Sequence, residues 1–215
     1  MDFVNELKQR LSTTLPGHDA HREMVPDNPA MRIRLQPPPA TALASAVLVP
    51  LVITSNPLPD VLLTVRSSTL RNHGGQIALP GGRVDADEDV VTAAIRELFE
   101  ETGVPPTSVH VLGTLTPLFI PPSNSAVTPI VATIYQQQHY TYSQTEVDDV
   151  FTIPLSIFLD DKTKQYFQRD LLGTMVSWPF WNIHPTIPLW GATAMIINEL
   201  LWIVKDIVHA HQPNT

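Results

Sequence analysis

The chain has 215 residues, with 13 Lys and Arg against 21 Asp and Glu, for a formal net charge of −8. Its 43% hydrophobic and 16% charged residues exclude a disordered chain, and the acidic balance excludes a protein that coats nucleic acid through a basic face. Cysteine is absent, which excludes disulfides, thiolate metal sites and a cysteine nucleophile, and 21 prolines predict extended connections and abrupt element ends.

Phe3, Val4, Leu7 and Leu11 recur at helical spacing and predict a helix over residues 2–12. Residues 13–40 are polar and end in Pro37-Pro38-Pro39, which reads as a long connection over the surface. The chain is thus expected to divide into an N-terminal helix and Pro-rich connection, 1–40, and a main domain, 41–215. Ala46–Thr54 and Asp60–Val65 read as strands joined by a turn at Asn56–Asp60. A Gly-rich loop, His73–Gly82, precedes a helix from about Asp85 to Thr102. Val109–Leu115, Thr128–Tyr135 and Asp149–Ile153 are further strands, and Ala192–Val208 is a helix apolar on nearly all sides. The expected class is α+β, with helices packed on a mostly buried mixed sheet. Ala46–Ile53 is too short to span a bilayer, and Met195–Val208 is interrupted by Asn198, Glu199, Lys205 and Asp206. With no basic, apolar leader at the N-terminus, a cytoplasmic protein with no membrane partner is expected.

Chemistry concentrates in one segment. Seven of the 21 acidic residues (Asp85, Asp87, Glu88, Asp89, Glu97, Glu100 and Glu101) fall between 85 and 101, with Arg96 the only base there. Asp85 and Glu88 read as a capping box, Gly103 as a left-handed C-cap, and Val91, Ala94, Ile95 and Leu98 as the buried stripe. Glu97, Glu100 and Glu101, at i, i+3 and i+4, are expected to crowd the opposite face. Like charges at these spacings cost a helix about 0.2–0.5 kcal/mol per pair. A bare cluster of this kind reads as a solvated acidic face; a bound hard cation such as Mg²⁺ or Mn²⁺, which chooses carboxylate oxygens, is the other reading.

The surroundings decide between them. Gly82, Glu88, Arg96, Glu97, Leu98, Glu100, Glu101, Gly103 and Val104 match every specified position of G-x5-E-x7-R-E-U-x-E-E-x-G-U, where U is aliphatic. A chance match at a given start is on the order of one in 10⁸. The chain therefore resembles the Nudix hydrolases. That resemblance implies an α/β/α sandwich, a loop–helix–loop catalytic segment, a divalent metal cofactor (Mg²⁺ or Mn²⁺), and hydrolysis of a diphosphate linked to another moiety. It implies Glu97 and Glu101 as metal ligands, Glu100 as a further ligand or base, and Arg96 orienting Glu97 by a charge-assisted hydrogen bond.

Upstream, Leu62-Leu63-Thr64-Val65-Arg66-Ser67, Arg71, Gly75 and Pro80-Gly81-Gly82 resemble the extended motif of the coenzyme A (CoA) pyrophosphatase branch, L-L-T-x-R-S-x3-R-x3-G-x3-F-P-G-G. Leu79 stands where that branch has Phe. The resemblance implies cleavage of CoA or acyl-CoA to 3′,5′-ADP and (acyl-)4′-phosphopantetheine. Arg66 and Arg71 would receive phosphate, and the His73-Gly74-Gly75-Gln76 run, with Gly82, would bring backbone close to it. Another nucleoside diphosphate derivative such as ADP-ribose, or a nucleotide-binding module without activity, are the alternatives. Glu146 reads equally as a base recruited from a later loop and as a solvated turn acid. Trp178, Phe180, Trp181 and Trp190 read as core or dimer packing, which leaves a homodimer open, rather than as an adenine stack or acyl channel. No His is assigned a role; His18 and His21 lack a third metal ligand.

Overall fold

The computed structural model describes residues 2–70, 72–135, 139–171 and 173–211. In chain order these form α1 (Phe3–Leu11), α2 (His18–Arg22), β1 (Leu43–Ile53), β2 (Asp60–Arg66), β3 (Ile77–Ala78), β4 (Gly81–Arg83) and α3 (Val90–Thr102). They continue through β5 (His110–Thr114), β6 (Leu118–Ile120), β7 (Ser125–Tyr135), β8 (Val147–Pro154), β9 (Lys164–Leu171), β10 (Thr174–Trp181) and α4 (Gly191–Ala210).

Alternation along the long strands sets the layers. In β1, Val49 and Leu51 belong to one core and Ala46, Leu48 and Val52 to the other, because successive side chains point to opposite faces. Val127 and Val131 of β7 join the first core, and Ile130, Ala132 and Ile134 the second. The first core is closed by α1 and α4, the second by Ala93, Ala94 and Leu98 of α3. The result is the expected α/β/α sandwich.

Eight strands among the described residues make one mixed sheet, in which β3-β2-β1-β7-β5 are neighbours. β1 and β7 run parallel in register from Leu43↔Ser125 to Ile53↔Tyr135. On its other edge β1 meets β2 only at Leu51↔Val61 and Val52↔Asp60, and meets β4 at Ser45↔Arg83 through Val47↔Gly81. β2 pairs instead with β3 at Thr64↔Ala78 and Val65↔Ile77. The two strands therefore diverge as a fork, and residues 77–83 fill it. This fork brings the backbone of Gly81 and Gly82 over α3.

Three expectations need correction. First, α3 starts later than Asp85: Asp89 caps it, accepting from the N–H groups of Val91 (2.9 Å) and Thr92 (2.8 Å). Glu88 still accepts the Asp85 N–H at 3.0 Å, but it sits before the helix and its carboxylate is shared with Arg96. The C-terminal reading holds, with Gly103 at φ +74° donating to the Phe99 carbonyl at 2.8 Å. Second, residues 13–40 do not simply cross the surface. They contain α2 and a 3₁₀ turn, Pro29–Leu35, and bury Ala20 and His21 completely. Glu199, equally buried in the otherwise apolar α4, explains this: His21 Nε2 lies 2.9 Å from its carboxylate, which also accepts the Gly17 N–H (3.0 Å) and the Thr116 hydroxyl (2.6 Å). A buried carboxylate needs such partners, and they lie far away in sequence. Third, the β9–β10 hairpin was not expected. It is registered from Lys164↔Trp181 to Leu171↔Thr174, and its mixed polar and aromatic faces carry no clean alternation. Among the described residues no helix is long and apolar enough to cross a membrane.

Candidate active site

Glu97 and Glu101 are one helical turn apart and about 40° apart around the axis, so they stand side by side on α3. That face lies under the fork. Glu101 is 5% exposed, and its two oxygens lie 3.5 Å from Arg66 Nη1 and 3.3 Å from the Gly81 N–H, which donates to it. Burial pushes its carboxyl up to about 8; Arg66 and the Gly81 amide oppose that rise, and the charges of Glu97 and Glu146 add to it. Glu97 lies directly beneath Gly82, and burial raises its carboxyl too, against the pull of Arg96 and with Glu100 and Glu146 adding repulsion. Glu146, in the turn before β8, thus bears electrostatically on both acids from across the site.

Arg96 fixes this arrangement. Its Nε and Nη2 donate to the Glu88 carboxylate (3.2 and 2.7 Å), Nη1 donates to Glu97 (2.9 Å) and Glu100 (3.1 Å), and Nη2 reaches the Arg83 carbonyl (3.1 Å). The guanidinium thereby pins the loop before α3 to the helix and orients Glu97 through a charge-assisted bond. In return it raises its own hold on the proton and keeps Glu88 below the usual carboxylate range.

The expected set of three converging carboxylates is not assembled. Glu100, i+4 from Arg96, turns to that guanidinium and leaves its side chain 48% exposed, while Glu101 turns inward rather than to a solvent face. Among the described residues no three His, Asp or Glu side chains converge into a ready-made metal cage. Glu97 and Glu101 nevertheless suit a hard divalent ion. They are adjacent and desolvated, and Mg²⁺ needs only one or two carboxylates when waters and substrate phosphate complete its shell.

Gly82 is required by close approach. A Cβ at this position would run into the Glu97 carboxylate. Gly82→Ala is therefore expected to lower kcat by about 10–100-fold through displacement of Glu97, with a stability loss of only about 1–3 kcal/mol. Steady-state kinetics set beside chemical denaturation check this.

The fork opens into a cavity of about 550 Å³ that extends from Gly81 and Gly82 to β9–β10 and the start of α4. Arg66, Gln76 and Leu79 line its near side. The Gln76 side chain pairs with His73, Oε1 lying 3.2 Å from Nδ1. The backbone amides of 75 and 76 do not face phosphate as expected. Gly75 donates to the Arg66 carbonyl (2.9 Å) and Gln76 to the His73 carbonyl (3.3 Å), so both close the turn. Arg71 lies outside the described residues. Trp181 is core, 2% exposed and edge-on to Phe158, but Trp178 and Trp190 line the cavity. Arg34, Arg83 and Arg169 also line it. Sequence reasoning missed them because Arg34 sits in the segment read as a connection and Arg169 in the unrecognised hairpin.

The NUDIX domain model matches residues 43–169, more than half the chain and including the whole of the fork and α3. The chain belongs to the Nudix hydrolase family. It is 42% identical over 164 residues to an uncharacterized Nudix hydrolase, NudL, of Citrobacter koseri, covering 73% of this chain and 80% of that one. NudL of Pectobacterium atrosepticum is 37% identical over 189 residues, 81% of this chain and 92% of its own. Among solved structures, the Nudix hydrolase RenU of M. smegmatis superposes with a TM-score of 0.51 at 17% identity, over 81% of this chain and 90% of that one. A MutT protein from Methanosarcina mazei gives 0.50 at 19%, over 77% and 94%. These likenesses show the fold. As a Nudix hydrolase the protein acts on diphosphate bonds of nucleoside diphosphate derivatives, and divalent metal ions are the cofactors general to the family.

Proposed function

We propose that this Nudix hydrolase cleaves the diphosphate of CoA or acyl-CoA, giving 3′,5′-ADP and (acyl-)4′-phosphopantetheine, with Mg²⁺ or Mn²⁺ held by Glu97 and Glu101. The observation that carries the reading is the path of residues 62–70 and 72–82. The motif that resembles the CoA pyrophosphatase branch folds around the acidic pair: Arg66 contacts Glu101, and the Gly81–Gly82 end of the motif covers Glu101 and Glu97.

A bound divalent ion supplies charge neutralisation on the phosphoryl oxygens and acidifies a water at neutral pH. The chain does the rest. Arg66 presents a guanidinium to the diphosphate from the wall of the cavity. Arg96 and Glu88 hold Glu97 in place. Glu146 takes the proton of the attacking water, since Glu100, the other candidate base, is tied to Arg96. The water oxygen bonds to one phosphorus, the bridging P–O bond breaks, and the leaving phosphate carries the electron pair away.

Incubation of the purified protein with CoA and Mg²⁺ or Mn²⁺, followed by chromatography, is expected to yield 3′,5′-ADP and 4′-phosphopantetheine in equal amounts. CoA left intact with both metals overturns the substrate assignment.

A further inference from the structure

Two further guanidiniums line the cavity with no counter-ion among the described residues. Arg34 and Arg169 line it, and among the described residues neither makes a salt bridge or a side-chain hydrogen bond. Arg34 is also desolvated, which weakens its hold on the proton. A guanidinium withdrawn from water without an anion is costly, so buried charges normally have partners. Asp170, next to Arg169 in β9, also lines the cavity; it makes no salt bridge to Arg169, and its carboxylate accepts the Gly173 N–H at 2.7 Å.

The aromatic residues around Arg169 hold it rather than offering a free ring face. Its guanidinium carbon stands 5.7 Å from the ring centre of Trp178 and 5.8 Å from that of Trp190. Phe167 stacks against Trp178 at 6.3 Å with the rings nearly parallel, and Trp190 meets Trp178 edge-on at 5.3 Å. The indoles are thus occupied, which disfavours base stacking there, while Arg169 itself stays exposed and open to a ligand.

Two more donors line the same cavity. Gly191, Ala192 and Thr193, the first turn of the 20-residue α4, line the cavity, and Trp190 at the N-cap supplies no side-chain acceptor. Their end of the helix dipole is positive. Trp178 is 6% exposed, and its indole N–H has no acceptor among the described residues.

We propose that Arg169, Arg34 and the first turn of α4 form a phosphomonoester subsite, which takes the 3′-phosphate of a CoA-type substrate and selects for a phosphate additional to the scissile diphosphate. The ligand's identity rests on the CoA reading; the anion site does not. Arg66, beside Glu101, serves the diphosphate, so the two anionic groups of the substrate have separate cations in one cleft.

Calorimetric titration with 3′,5′-ADP and with 5′-AMP, at one Mg²⁺ concentration, reads the subsite without any cleavage. The wild type is expected to bind 3′,5′-ADP about 10–100-fold more tightly, the range of a bidentate charge-assisted contact. Arg169→Ala and, separately, Arg34→Ala should shrink that gap by about 10-fold, and Arg169→Lys should restore part of it. In parallel, the ratio of kcat/KM for CoA over dephospho-CoA should fall about 10-fold in Arg169→Ala, through KM, while its melting temperature stays near wild type. Equal wild-type affinity for the two mononucleotides overturns the subsite, as does an equal loss for both in the Arg169 and Arg34 variants. A wild type that discriminates the mononucleotides yet leaves CoA intact refutes the CoA reading and keeps the subsite.

Discussion

Glu101→Gln is expected to reduce hydrolysis by at least about 10³-fold while the metal-free protein melts no lower than wild type at pH 8. The two halves have one cause. Glu101 is buried between Arg66 and the Gly81 amide, and its ionised form is held there against desolvation and the charge of Glu97. A neutral amide of the same shape still accepts the Gly81 N–H but carries no charge to bury, and each unit of upward shift relieved is worth about 1.4 kcal/mol. The same substitution removes one of the two carboxylates adjacent enough to share a divalent ion. A merely structural Glu101 would show the reverse, a lower melting temperature with activity reduced only in proportion. Kinetics and thermal denaturation on one sample separate the two outcomes.

Metal-free protein should also lose stability as pH rises between about 4.5 and 8. The Glu101 carboxyl is raised from 4.5 to about 8 in the folded chain, so over that window the folded state holds a proton that the unfolded state has released. Stability contributed by the protonated form is complete below about 4.5, falls through the window, and is lost above 8. Glu97, raised in the same direction by burial, adds to the slope. A divalent ion replaces that proton. The melting-temperature gain from Mn²⁺ or Mg²⁺ is therefore expected to be small at pH 5 and about 5–10 °C at pH 8, the equivalent of a few kcal/mol for a chain of this size. Glu101→Gln should flatten both trends. A metal-induced shift that is equal at pH 5 and pH 8 would contradict ligation by Glu101.

What could be read from the sequence was local. The helix of the acidic segment, its Gly103 cap and the link from Arg96 to Glu97 follow from spacings of seven residues or fewer, and all three stand in the structure. The α/β/α layering follows from the resemblance carried by residues 82–104. What spacing did not reveal is which acid faces inward. Helical geometry alone puts Glu97, Glu100 and Glu101 together, whereas the fork between β1 and β2 draws Glu101 under Gly81, and Arg96 draws Glu100 outward. The cleft's far wall was illegible for a related reason. Arg34, Arg169 and the first turn of α4 are separated by long stretches of chain and line one cavity because His21 and Gly17 anchor the N-terminal segment to Glu199 and β9–β10 folds back against Trp190.

The most direct test is a paired measurement of kcat/KM for CoA and for ADP-ribose, with Mg²⁺ and with Mn²⁺, on the full-length protein. The expected result is metal-dependent release of 3′,5′-ADP from CoA with an efficiency at least about 10-fold above that for ADP-ribose, a margin within reach of one additional phosphate contact. Efficient hydrolysis of ADP-ribose with CoA left intact would contradict it.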